Sequence, residues 1–224
     1  MTRIIMTPQI VYEDSDILVI NKPSGLLTHP RNENDKRPSV AGWLMEHYPG
    51  ATWAHRLDKD TSGILLIAKN PEVLEYYKKL FHDRKIQKTY LALVHGHPKN
   101  EYGTIAAPLF KFGTRQSIRP ARKGNTLERA AVTEYSVLKK YKEYALLEVR
   151  PKTGRTHQIR IHLRSIGHPV VCDPIYAEKS RSCPPTLGRL FLHAQKLSFV
   201  TKNGQAITLE ADMPPELEKF LKTL

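Results

Sequence analysis

Cysteine is nearly missing from this chain: Cys172 and Cys183 are the only two in 224 residues. Two are too few for a disulfide framework and neither stands in a Cys-x-x-Cys spacing, so both read as reduced bystanders with no metal or redox role. Long apolar runs are missing too. No stretch approaches the ~18 consecutive apolar residues of a membrane span, and Met1–Met6 opens no apolar leader, which points to a cytoplasmic protein without a membrane partner. There is no Gly-x-x-x-x-Gly-Lys-Ser/Thr loop, which argues against a P-loop nucleotidase. Ser62 has Asp and His nearby but no Gly-x-Ser-x-Gly elbow, which argues against a serine hydrolase. Ten histidines invite a metal reading, with His95-x-His97 and His157-x4-His162 the nearest candidates. Neither gives a His-Glu-x-x-His helix or a Cys/His finger, so no metal site is expected. Internal repeats and low-complexity tracts are absent.

What is present in excess is positive charge. Lys and Arg number 35 against 22 acidic residues, a net +13, which suits a polyanionic partner better than a neutral small molecule. The excess is segregated: Lys111 to Arg164 holds fourteen Lys/Arg and four Glu, ten of the thirteen net charges. A solvated face would also explain a charge run. Interleaved Phe110, Phe112, Tyr135, Tyr141 and Tyr144 offer rings for stacking on unpaired bases, or simply for packing. A composition of 40% hydrophobic and 25% charged residues is that of a globular protein, and the length favours one large domain, residues 1–224.

Ile10–Tyr12 and Ile17–Asn21, split by Glu13, Asp14, Ser15 and Asp16, predict a hairpin. Ser39 is placed to cap a short helix from Val40 to Tyr48, which Pro49-Gly50 breaks. Ile64–Ala68 is an apolar run of strand length, covered on both faces and central. Asn70 and Pro71 suit the N-cap and first turn of a helix to about Asp83. Lys88–Val94, Ala130–Leu138 and Tyr144–Arg150 are further strand candidates, and Gly96–Asn125 reads as an excursion. In Thr156–Ile166 the stripe Ile159, Leu163, Ile166 predicts a helix with Arg160 and Arg164 away from its apolar side. Phe191–Glu210, turning at Asn203-Gly204, reads as antiparallel strands before a helix from Pro215. Strands outnumber helices and include hairpins, so the expected class is α+β: a mixed, largely antiparallel central sheet flanked by helices.

The most informative stretch is His55-Arg56-Leu57-Asp58-Lys59-Asp60-Thr61-Ser62-Gly63, a carboxylate in a polar turn just before a buried strand. An Asx turn capping the strand entry would use the same residues. The rest of the chain changes the balance. Val19-Ile20-Asn21-Lys22-Pro23-Ser24-Gly25-Leu26-Leu27, His55–Gly63, Gln87-Lys88-Thr89-Tyr90, Pro151-Lys152-Thr153-Gly154-Arg155-Thr156-His157-Gln158-Ile159-Arg160-Ile161-His162, then Gly167-His168-Pro169-Val170, Asp173 and Leu192-His193-Ala194 resemble, in order, the pseudouridine synthases of the ribosomal large-subunit (RluA) type.

That resemblance implies an isomerase acting on uridine in RNA without a cofactor: the bond to N1 breaks, the base turns, and C5 bonds to the sugar. Asp58 matches the aspartate that opens the reaction, by attack at C1′ or removal of the 2′ proton, and a carboxylate suits either. Tyr90 matches the tyrosine beside the target base. Arg155 matches the basic residue paired with the aspartate, where a fixed cation favours and orients the ionised carboxylate. Arg56 matches the arginine that fills the gap left by the flipped uridine, whose extrusion costs a few kcal/mol unless its contacts are replaced. Lys22 and His29 either border the RNA or serve the structure.

An RNA-binding or ribosome-assembly protein on the same scaffold is the rival reading; Asp58, Tyr90 and Arg155 occurring together favour the enzyme. Many relatives carry an S4-type domain ahead of the catalytic one, and Val19–Leu27 comes too early here to leave room for it. Recognition is therefore expected from the catalytic domain, with Arg115, Arg119, Arg122, Lys123 and Arg129 of Lys111–Arg129 contacting phosphates. Ribosomal or transfer RNA both fit, 23S ribosomal RNA slightly better, and a monomer is the default.

Overall fold

The computed structural model describes residues 7–112, 115–118, 127–178 and 183–224. The order begins with β1 (Gln9–Glu13), β2 (Ile17–Lys22), α1 (Val40–His47), β3 (Thr52–Trp53), β4 (Ser62–Ala68) and α2 (Pro71–His82). It continues through β5 (Gln87–His95), β6 (Tyr102–Ala106), β7 (Leu109–Phe112), β8 (Arg115–Ser117), β9 (Leu127–Arg129), β10 (Val132–Lys140), β11 (Tyr144–Pro151) and α3 (Gln158–Ser165). β12 (Leu192–Val200), β13 (Ala206–Glu210) and α4 (Pro215–Leu221) follow. Two compact units emerge: the chain up to Gln87 with His193–Pro214, and Lys88–Leu192 with Pro215–Leu224.

In the first unit β4 is central. Its seven residues are all buried, because β2 runs antiparallel along one edge while β12 and β3 share the other, and α2 packs on it. The hairpin forms as expected: Asp14 Oδ1 accepts from the amides of Asp16 (2.8 Å) and Ile17 (2.7 Å), which closes the turn and sets the register of β1 on β2. Both helix starts are capped by the residues that the sequence nominates. Ser39 Oγ accepts from Gly42 N at 3.1 Å, and Asn70 Oδ1 from Val73 N at 3.0 Å with Pro71 just inside. Val73, Tyr77 and Leu80 form the buried stripe of α2.

In the second unit β5, β11, β10 and β6 lie side by side, each antiparallel to the next. α3 packs on β10 and β11, and Ile159 and Leu163 join Ala92, Val94, Leu147 and Val149 in the core. β4 with β12 is parallel, while β1 with β2, β2 and β3 with β4, β12 with β13, β5 with β11, β10 with β11 and β6, and β7 with β8 and β9 are antiparallel, so the class is α+β, as expected.

Three expectations need correction. Gly96–Asn125 is not merely an excursion: it contains β6 and, with β9, a separate sheet ordered β8-β7-β9. These strands have three to five residues, too short for period-two alternation to stand out from the surrounding Gly and Pro. Arg160 does not lie away from the apolar side of α3 but is 2% exposed, because Asp173 meets it there, while Ile166 is 36% exposed. Finally, Cys172 and Cys183 are not separate thiols but a disulfide with Cα atoms 4.5 Å apart. Their separation of 11 residues matches no motif, which is why the pairing left no sign in the sequence.

Candidate active site

The turn that carries Asp58 is held by its own backbone, from the segment that follows β2. Lys22, fully buried at the end of β2, donates from Nζ to the carbonyls of Pro23 (2.9 Å), Leu26 (2.8 Å) and Lys59 (3.0 Å). An ammonium has three N–H donors, and supplying each with a carbonyl is what makes its burial tolerable. Ser24 Oγ donates to Asp60 O at 2.8 Å, and Gly25 N to Lys59 O at 2.9 Å. Thr28 Oγ1 donates to Leu57 O at 2.9 Å and accepts from Leu57 N at 3.2 Å. The main chain is thereby pinned on both sides of Asp58, whose own carbonyl accepts from Thr61 N at 3.2 Å.

Side chains in the approach to the turn alternate. His55 Nε2 accepts from Leu66 N at 3.0 Å while its ring packs 4.5 Å from that of Phe81, and Leu57 is buried. Arg56 is left exposed and Asp58 half-exposed. Lys22 thus has a structural role rather than bordering RNA. Ser62 is also structural: it is fully buried, with Oγ 2.9 Å from His193 Nδ1. His193 Nε2 lies 3.1 Å from Ala211 O, which can only accept, so Nε2 carries the proton and Ser62 donates to Nδ1.

In the second unit Tyr90 stands on β5 opposite Val149 and packs partly buried against the core. Lys88, two residues earlier on the same side of the strand, donates from Nζ to Thr153 O at 3.2 Å, and burial pulls its amine down to about 8. Thr153 belongs to the turn that presents Arg155. Its hydroxyl donates to Gln158 Oε1 at 2.6 Å, and the same oxygen accepts from Arg155 N at 3.0 Å. Gln158 Nε2 donates to Val132 O and Thr133 Oγ1, both at 3.0 Å. Arg155 itself is half-exposed, with Nε 3.3 Å from Ala130 O. The Lys88 brace therefore ties the strand of Tyr90 to the turn of Arg155. Asp58 and Arg56 belong to the first unit, Tyr90 and Arg155 to the second.

Behind that turn α3 is locked from below. Arg160 Nε and a terminal nitrogen donate to the two oxygens of Asp173 at 2.7 and 2.8 Å, and the amides of Ile175 and Tyr176 donate to Asp173 Oδ1 at 2.9 and 3.0 Å. Burial alone would raise the Asp173 carboxyl, but Arg160 and the two amides outweigh it and hold it below the usual range. His157, in the left-handed region at φ 56°, starts the helix with its ring Nδ1 2.9 Å from the Tyr176 hydroxyl. These supporting groups, Lys22, Lys88, Thr153 and Gln158, carry no sequence signal of their own role beyond Gln158 and His162, which share one buried face at helical spacing. Of the basic residues expected at phosphates, Arg119, Arg122 and Lys123 lie outside the described residues, while Arg129 is exposed on β9. Among the described residues no group of three His, Cys, Asp or Glu side chains could hold a metal ion, and no helix is long and apolar enough to cross a membrane.

Residues 16–165 match the pattern of a family described as RNA pseudouridylate synthase. Over 193 residues the chain is 40% identical to a Mycoplasma pneumoniae protein named an uncharacterized RNA pseudouridine synthase, covering 85% of this chain and 62% of that one. Over 222 residues it is 36% identical to ribosomal large subunit pseudouridine synthase C of Vibrio vulnificus, covering 96% and 69%. The solved structure of human RNA pseudouridylate synthase domain containing 1 aligns with a TM-score of 0.79 at 29% identity, over 95% of this chain and 86% of that chain.

Proposed function

This chain belongs to the RNA pseudouridylate synthase family, of the ribosomal large-subunit (RluA) type, and on that premise we propose that it converts specific uridines of structured RNA into pseudouridine. The proposed substrate is 23S ribosomal RNA ahead of transfer RNA, following the name of the Vibrio vulnificus relative, and the proposed compartment is the cytoplasm. Asp58 opens the reaction, at C1′ or at the 2′ proton. The C1′–N1 bond breaks, the uracil turns, C1′ bonds to C5, and the proton lost from C5 is balanced by one gained at N1. Tyr90 packs on the uracil ring, Arg155 pairs with the Asp58 carboxylate, and Arg56 stacks where the uridine was extruded. Basic residues of Lys111–Arg129 take phosphates.

The observation that supports this reading best is the hold on the Asp58 turn. Lys22, Ser24 and Thr28 pin the carbonyls of Lys59, Asp60 and Leu57 while Asp58 stays half-exposed. A reacting carboxylate needs that combination of fixed backbone and half-exposed side chain. A chain that only holds RNA has no use for it.

The test is a map of pseudouridine in total RNA from cells lacking this chain, complemented with wild type or with Asp58→Ala. Specific sites should vanish and return with wild type only, and the variant should be slower in vitro by at least on the order of 10²–10⁴-fold. Restoration by Asp58→Ala would remove Asp58 from the chemistry. A map that never changes would leave RNA binding as the function.

A further inference from the structure

We propose that His29 and Trp53 form a stacking subsite for an unpaired nucleobase next to the uridine that Asp58 attacks, an inference that rests on the family reading above. The two hydrogen bonds between Thr28 Oγ1 and the backbone of Leu57 fix segment 26–29 against segment 55–58. One residue beyond each end of that clamp stand His29 and Arg56. The imidazole of His29 meets the indole of Trp53 edge-on, with ring centroids 5.4 Å apart at 61°. Both rings are half-buried, so each keeps surface open to solvent, and the exposed Arg56 lies near enough to His29 for its charge to act on the imidazole. In an edge-on pair one ring gives the other only its rim, and the faces of that ring stay out of the contact.

The chemistry of this cluster selects its ligand. Burial and the neighbouring Arg56 charge hold the imidazole below its usual range, so at neutral pH it is an uncharged ring. An uncharged ring is ill suited to grip a phosphate and well suited to stack on a base. Two paired aromatic rings, one of them next to the guanidinium that stands two residues before Asp58, match what single-stranded RNA offers, π-faces in sequence with the backbone charge alongside. Extrusion of the target uridine strips its neighbour of a stacking partner, and the His29–Trp53 face replaces that contact for the flanking base as Arg56 does in the vacated gap. Trp53 is held for this on β3, paired through its backbone with Ile67 of β4.

The experiment uses full-length protein and an RNA hairpin carrying the uridine found by the mapping above, intact or with an abasic residue on the 5′ or the 3′ side. Affinity is read by anisotropy and conversion by pseudouridine assay. For wild type, one abasic flank should weaken binding roughly tenfold, the scale of one base–aromatic stack. His29→Ala and Trp53→Leu should bind the intact hairpin roughly as weakly as wild type binds the abasic one and lose no more with it, while His29→Phe, which keeps a ring, should regain most of the difference. Thermal unfolding of each variant identifies any that fails to fold, and the wild-type comparison alone then decides. If wild type converts intact and abasic hairpins alike with equal affinity, or if His29→Ala loses the same factor on both, the subsite is overturned while the enzyme assignment stands. If wild type converts neither and binds neither, the family reading falls and the subsite with it.

Discussion

Lys22, buried, and Lys88, half-buried, both donate to main-chain carbonyls in turns, Lys22 to three of them and Lys88 to Thr153 O. Replacing Lys22 by Met keeps the stem, strips the carbonyls of Pro23 and Leu26 of this donor and leaves Lys59 O with Gly25 N alone. Buried carbonyls without partners cost about 1–3 kcal/mol each, partly relaxed by local movement, so Lys22→Met should lower unfolding free energy by about 2–4 kcal/mol in denaturant titration. Because Asp58 rides on the same turn, conversion of RNA should fall further than RNA binding does. Lys88 makes a different prediction. Its folded value of about 8 lies below the ordinary 10.5, so between those pH values the unfolded chain binds more protons than the folded one. Stability then rises with pH through that window, since the cost of burying the charge is felt in full below about 8 and disappears above 10.5. The difference in unfolding free energy between wild type and Lys88→Met should shift by up to about 3 kcal/mol in favour of wild type from pH 7 to pH 10.5. A difference that stays flat would mean that Lys88 is hydrated in the folded state.

At the scale of the element, α3 and β4 show which packing could be foreseen. The apolar run of β4 and the caps at Ser39 and Asn70 were legible because short-range rules decide them. Arg160 was not, because helical periodicity assigns a charge to solvent and cannot see Asp173 thirteen residues on. The same blindness hid the Cys172–Cys183 bond and the acceptors of Lys22, which are carbonyls and leave no trace in side-chain identity. Asp58, Tyr90, Arg155 and Arg56 stood out by family resemblance rather than by periodicity or charge, for a polar turn before a strand is common in any fold. The buried pair gives a sharp test: Asp173→Ala takes from the buried Arg160 the carboxylate that balances it and should cost about 3–5 kcal/mol, whereas Arg160→Met with Asp173→Leu should cost far less. Because the Asp173 carboxyl is held low, its contribution is present above the ordinary carboxylate range and is lost as pH falls through the folded value, so wild type but not the double variant should lose this increment on acid titration. β4 offers a second test at Gly63, where φ is 116° and a Cβ would collide with the Ala194 carbonyl and lie 2.6 Å from Ala194 N. Gly63→Ala should force β4 and β12 apart and abolish soluble expression or lower Tm by well over 10 °C, roughly the effect of more than 4 kcal/mol.

For the molecule as a whole, the decisive property is where its charge of +13 remains available. Among the described residues between Lys111 and Arg164, several basic side chains are engaged in ion pairs within the second unit: Arg150 with Glu148, Lys152 with Glu134, Lys140 with Glu101, and Arg160 with Asp173. The first three pairs are exposed and add little stability, but each partner carboxylate offsets a charge that would otherwise face a polyanion. The phosphate contacts are expected on Lys111–Arg129, where in the sequence Arg115, Arg119, Arg122, Lys123 and Arg129 stand against the single acidic residue Glu128. Each phosphate neutralised releases condensed counterion, and log K falls with log salt by about 0.7 per contact on single strands and 0.9 on duplex. If those five residues each meet one phosphate, replacing all five by Gln should reduce the slope by about 3.5–4.5 and weaken binding most at low salt. Conversion at saturating RNA should change little, because none of the five is assigned to the reacting uridine. A slope that does not move would place the phosphate contacts elsewhere on the chain, and the exposed Arg56 and Lys59 beside Asp58 would be the next to neutralise.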